Sequence, residues 1–79
     1  GIEPRKFPAE FRRRHGMSFP DYLNVLRVEE ARALLASSDL PVTRIALQTG
    51  FNNTAYFNRT FKRLTRLVPV EYRRRHRVR

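Results

Sequence analysis

The apolar residues of this chain recur at three- and four-residue intervals without strand-like alternation, so every element they predict is a helix. Phe7 and Phe11 share one face of a first helix expected from about Pro4 to Arg14. Pro4 suits a first turn, whereas Pro8 lies past it and lacks a backbone donor, which predicts a late start or a bend. Gly16 supplies a left-handed stop. A longer helix is expected from Ser18 or Phe19 to about Ala36, with Pro20 and Asp21 in its first turn. Its apolar positions are Phe19, Leu23, Leu26, Ala31, Leu34 and Leu35, interrupted by Arg27 and Glu30, which are expected to face each other or their neighbours. Ser37, Ser38 and Asp39 form a polar break. A short helix then runs from about Pro41 to Gln48, presents Val42, Ile45 and Ala46 for packing, and stops at Gly50. Phe51 reads as a plug, and Asn52 or Asn53 caps a helix to about Leu64 with Phe57, Phe61 and Leu64 inward. A final helix starts near Pro69 and is expected to fray into the basic run Arg73 to Arg77.

A constant offset along the chain superimposes Phe7 on Phe57, Phe11 on Phe61, Arg12 on Lys62 and Arg13 on Arg63. The same offset places Met17 on Leu67, Asp21 on Glu71 and Tyr22 on Tyr72. Two copies of one helical unit produce such a pattern. The second copy is preceded by the short helix and turn from Pro41 onward. The equivalent of that stretch falls ahead of Gly1, so the chain is expected to begin inside its first unit.

A helix-turn-helix requires a short supporting helix, a tight turn that often uses glycine, and a second helix free to enter a groove. The stretch Pro41 to Leu64 supplies these parts in order. Its inner stripe leaves Thr54, Ala55, Asn58, Arg59 and Lys62 facing outward, a short, polar and basic set suited to base edges and phosphates. Charge sharpens this picture. Seventeen Lys and Arg stand against seven Asp and Glu in 79 residues, a net charge of +10. Such a domain repels itself unless it meets a polyanion. Lys6 and Lys62 are the only lysines, and arginine favours forked contacts with phosphate or guanine. A coding bias towards arginine on a solvated surface is the plainer alternative.

Other chemistry has little support. The chain has no cysteine, and His15 and His76 are isolated, so no metal site or cofactor is expected. Ser18, Ser37 and Ser38 read as caps, and Asp21 and Glu71 sit in first helical turns, where the helix dipole explains them. No catalytic residue is assigned, and the chain is not expected to be an enzyme. Tyr56, Phe57 and Phe61 have core spacing rather than base-stacking spacing; Tyr22 and Tyr72 are expected to pack, their hydroxyls reaching backbone partners. No apolar run approaches the length of a membrane span, and the polar start GIEPRKF is not a signal peptide, so an intracellular setting is expected.

Ile45-Ala46, Gly50-Phe51, Tyr56-Phe57, Phe61-Lys62, Pro69 and Tyr72-Arg73 keep the order and spacing of a known signature. With them, the run Leu40 to Arg73 resembles the second helix-turn-helix of AraC/XylS-type transcriptional regulators. The upstream run from Pro4 to Leu35 resembles that family's first recognition helix and long connecting helix, so the likeness covers nearly the whole chain. The resemblance implies an all-α, homeodomain-like helix-turn-helix joined by a long connecting helix to an incomplete first helix-turn-helix. Residues 1–17 are then the remnant of the first unit, 18–38 the connecting helix, and 39–79 the second unit with its C-terminal helix and basic tail. Thr54, Ala55, Asn58 and Arg59 stand where the second unit meets bases, and Arg5, Pro8 and Ala9 where the first does. Lys6, Arg12, Asn53, Lys62 and Arg73 are the expected phosphate contacts. Three departures carry consequences. Arg66 stands where the family usually has Gly, so that helix ending is expected to be strained or differently shaped. Pro8 weakens base contact by the first recognition helix, and the two helices that normally support it are missing.

The expected function is therefore sequence-specific binding of double-stranded DNA in bacterial transcription regulation, with RNA polymerase as a further candidate partner and no membrane partner. The resemblance narrows the expected setting to the bacterial cytoplasm, nucleoid-associated. The alternatives are a charge-driven, non-specific nucleic-acid binder and a protein-interaction fragment of a regulator. Without covering helices, Phe7 and Phe11 would each forgo roughly 1.5–3 kcal/mol of burial. The segment before Gly16 is accordingly expected to be mobile, repacked, or covered by self-association with a second copy.

Overall fold

Ser18 has an extended backbone, and its Oγ accepts the Asp21 amide at 3.2 Å, satisfying one of the orphan donors of a helix start. From it runs helix α1 (Phe19–Ser37) of the computed structural model, which describes residues 12–77. All regular structure among the described residues is helical: residues 12–15, then α1, α2 (Val42–Gln48), α3 (Thr54–Thr65) and α4 (Pro69–His76). Each proline at a helix start lies where a missing donor costs nothing. Pro20 and Pro69 occupy first turns, and Pro41 stands just ahead of α2 as its N-cap. Ser37 and Ser38 close α1 rather than open the next helix, their hydroxyls donating to Ala33 O and Leu34 O at 2.7 Å.

The core stripe of α1 is Asn24, Val28, Ala31 and Leu35, which recur at helical spacing on one side. That differs from the expected face: Leu26 is 49% exposed, because it lies two residues from both Asn24 and Val28 and so points away. Against the stripe pack Ile45 and Ala46 of α2, Phe51 of the turn, Phe57 and Phe61 of α3, and Tyr72 of α4. The aromatic rings form a continuous chain. Phe51 meets Phe57 edge-on at 5.0 Å, Phe57 meets Phe61 at 5.6 Å, and Phe61 meets Tyr72 edge-on at 5.4 Å. Such pairs add about 0.5–1.5 kcal/mol each beyond the area they bury.

Several sequence expectations need correction. Leu64 keeps an inward direction but is exposed, because in the last turn of α3 it faces an open hollow lined by Met17, Asp21, Val25 and Arg63. Thr60 is buried instead. Tyr56 is exposed rather than part of the core. Arg27 does not meet Glu30; its guanidinium lies over the Phe51 ring, 6.0 Å from the centroid. The Tyr72 hydroxyl accepts from the Arg32 side chain at 3.0 Å, not from a backbone partner. That bond, with Glu29 2.6 Å from Arg32 Nη1, pushes the Arg32 pKa up. Helix α4 continues to His76 without fraying. Glu71 accepts from Arg74 at 2.6 Å and Arg75 at 3.1 Å, and the His76 ring stacks on Tyr72 at 4.2 Å. Those two guanidinium bonds also hold the Glu71 carboxyl below its ordinary pKa.

The repeat offset is visible in the backbone. Gly16 (φ 75) and its counterpart Arg66 (φ 69) both adopt the left-handed conformation. Each donates its amide to the carbonyl one turn back, Arg12 O at 2.8 Å and Lys62 O at 2.7 Å. The next helices start alike, with Tyr22 N donating to Ser18 O and Tyr72 N to Val68 O, both at 2.9 Å.

Candidate nucleic-acid interface

Helices α2 and α3 are joined by a turn that only a glycine fits easily. Gly50 has φ +100, and a Cβ built there would lie 2.9 Å from Arg27 Nε. The turn closes through Gly50 N to Leu47 O at 3.1 Å and Phe51 N to Ala46 O at 2.8 Å. Phe51, 2% exposed, plugs the space between the helices as expected. Asn53 is the cap of α3, its Oδ1 accepting the Tyr56 amide at 2.9 Å. A further link fixes the helix about its own axis: Asn24 Nδ2 of α1 donates to the Tyr56 hydroxyl at 2.9 Å.

With Phe57, Thr60 and Phe61 buried, α3 turns a second face to solvent. Thr54 and Asn58 are half-buried on it, and Ala55, Arg59 and Lys62 are exposed. The structure thus brings five of the expected contact residues onto one surface, beside the capping Asn53. Along this face the small and neutral Thr54, Ala55 and Asn58 come first, and the cations Arg59 and Lys62 follow. Arg59, Lys62, Arg63 and Arg66 line one shallow hollow there. Sequence reading missed Arg63 and Arg66 as members of this surface. Their spacing from Arg59 was the available signal, since positions three, four and seven residues on return to the same side. Arg44, exposed on α2 beside Leu47 and Gln48, was also missed.

The charges are segregated. Among the described residues the ion pairs are Arg32–Glu29, Arg74–Glu71, Arg75–Glu71 and Arg77–Asp39, all on α1, α4 and the segments adjoining them. None uses Arg44, Arg59, Lys62, Arg63 or Arg66. The cations of the helix-turn-helix thus stand outside these ion pairs, with Asp21 of α1 lining the hollow beside Arg63.

Arg73 departs from its expected phosphate role. Its Nε donates to Leu35 O at 3.1 Å and its Nη2 to Leu40 O at 2.6 Å, so the guanidinium is turned into the protein and ties α4 to the end of α1. Arg12 is helical and exposed. Arg5, Lys6, Pro8 and Ala9 lie outside the described residues, as do Phe7 and Phe11 with the expectations placed on them.

The fold and this face define a helix-turn-helix DNA-binding domain, and comparison with known proteins agrees. The family model for a helix-turn-helix domain matches residues 1–75. The chain belongs to this family, in its AraC type, a family of transcription-regulator domains rather than enzymes. It is 40% identical over 75 residues to the HTH-type transcriptional regulator GlxA of Rhizobium meliloti, covering 95% of this chain and 23% of that protein. It thus spans under a quarter of the length of that curated relative. The DNA-binding domain of AdpA, a global transcriptional factor solved in complex with a target DNA, superposes with a TM-score of 0.87 at 30% identity, covering 94% of this chain and 67% of that one. The C-terminal domain of AraT, a response regulator from Geobacillus stearothermophilus, superposes with a TM-score of 0.92 at 31% identity, covering 99% and 64%.

Proposed function

We propose that α3 lies in a DNA major groove and distinguishes one base sequence from another, within a protein that regulates bacterial transcription. The observation that carries this reading is the outward face of α3, polar at its start and cationic at its end, its cations outside the ion pairs that the described residues form on the α1 and α4 side. In a recognition helix the first turns meet base edges and the far end passes the backbone. Thr54, Ala55, Asn58 and Arg59 are assigned to bases, and Lys62 to a phosphate. Asn53 uses its Oδ1 inside the helix, which leaves its amide nitrogen for a phosphate. Arg12, which matches Lys62 in the repeat, is assigned to a phosphate in the first unit together with Lys6, and Arg5 and Ala9 to bases there. Residues 18–38 connect the two units, and 39–79 form the second. Arg73 is withdrawn from the contact set because its guanidinium is engaged internally.

Selection of duplexes from a random pool, followed by competition titrations at fixed salt, tests the reading. Arg59→Ala is expected to cost ~1–3 kcal/mol on the selected duplex and far less on a scrambled one, since a forked guanine contact discriminates by that much. Lys62→Ala is expected to weaken both duplexes alike and to lower the salt slope by about one unit. A purely charge-driven binder gives no enriched sequence, and scrambled DNA then competes as well as the best duplex.

A further inference from the structure

Arg66 is the one residue other than glycine with a positive φ among the described residues. It stands at the C-cap of α3, fully in the left-handed region with φ 69 and ψ 4. An L side chain is disfavoured there and glycine is the residue that relieves it. The matching position of the first unit, Gly16, has that relief at φ 75. Among the described residues the Arg66 side chain makes no hydrogen bond or ion pair that would hold the backbone in place; its amide bonds back to Lys62 O at 2.7 Å. It is exposed, and it completes the cationic hollow with Arg59, Lys62 and Arg63.

We infer that Arg66 is a DNA-backbone contact held in a strained conformation, and that with Arg63 it forms a phosphate clamp at the exit end of α3. The inference rests on the reading of α3 as the groove-binding helix. Residues 59, 62, 63 and 66 run along one side of α3. At 1.5 Å of rise per residue Arg66 lies about 10 Å along the axis from Arg59, the last of the residues assigned to bases, a reach comparable with the ~12 Å width of the major groove. With base contacts at the first turns of α3, this far end meets phosphates rather than base edges. The left-handed cap turns the chain out of the helix at this point, and the side chain it carries adds a cation that glycine could not supply. The simpler account is that a cation at a helix C-terminus only stabilises the helix dipole. The two accounts differ in sign for stability and in effect on DNA.

The test compares Arg66→Gly and Arg66→Lys in the full chain of 79 residues, using the best duplex selected from a random pool and a scrambled duplex. Arg66→Gly is expected to raise Tm by about 2–6 °C, because glycine removes the left-handed strain. It is expected to weaken both duplexes several-fold and to reduce the slope of log K against log salt by about 0.9, one phosphate contact, without changing which sequence is preferred. Arg66→Lys keeps the charge and should keep the slope. An unchanged slope in Arg66→Gly, while the wild-type chain still selects its duplex, overturns the clamp alone; so does a fall in Tm with DNA binding intact, which is the dipole account. A wild-type chain that selects no sequence overturns the reading of α3 and the clamp with it.

Discussion

Gly50 illustrates how one residue can hold the interface in shape. Its φ of +100 penalises any side chain by roughly 1–2 kcal/mol before contacts are considered. An added Cβ also meets Arg27 Nε at 2.9 Å, and that side chain is held over the Phe51 ring. Arg27 can swing away, but only by giving up its cover of Phe51. Gly50→Ala is therefore expected to lower stability by ~1–3 kcal/mol in denaturant titrations. Adding Arg27→Ala should recover the steric part of that loss and leave the backbone part, so the two changes should be non-additive. Strict additivity would show that Arg27 plays no part. The turn glycine itself was readable from the sequence, since a helix stop followed by a phenylalanine plug is a local pattern. Its neighbour was not: Arg27 reads as an interruption of a helical stripe until the fold places it over a ring far along the chain.

The same contrast between local and distant holds for whole elements. Helices α2, α3 and the start of α1 were legible because their signals lie within one turn: Ser18 and Asn53 as caps, Gly16 and Gly50 as stops, prolines in or just before first turns. The core face of α1 was less so. Asn24 belongs to it through a bond to Tyr56, and no apolarity scale marks an asparagine as core. The junction of α4 with α1 was misread for a related reason. Arg73 in a run of arginines looks like a solvated cation, yet it bridges Leu35 O, a carbonyl that the end of α1 leaves open, and Leu40 O in the link to α2. Only the fork of a guanidinium spans both acceptors. Arg73→Lys is thus expected to destabilise the domain by ~1–2 kcal/mol while leaving the salt slope of DNA binding as it was. Should the slope drop by a full unit and thermal stability stay constant, Arg73 is a phosphate contact after all.

At the scale of the whole molecule, net charge was legible and its arrangement was not. The composition gives +10, and only the fold shows that the ion pairs gather on the α1 and α4 side. Exposed ion pairs contribute about 0–1 kcal/mol each and weaken with salt. Repulsion among the unpaired cations weakens with salt as well, and with seventeen cations to seven acids it is the larger sum. Stability should therefore rise as sodium chloride goes from about 0.01 to about 0.15 M, which shortens the Debye length from ~30 to ~8 Å. DNA affinity must move the other way over the same range, because each neutralised phosphate releases counterions. Opposite salt dependences of Tm and of DNA affinity are the signature of a surface that is destabilised by its own charge and relieved by a polyanion. Adding duplex DNA at low salt should accordingly raise Tm more than the same duplex does at high salt, through tighter binding to the folded state. A Tm that falls as salt is added would mean that the ion pairs outweigh the repulsion. The unpaired row on α3 would then owe its arrangement to something other than a phosphate backbone.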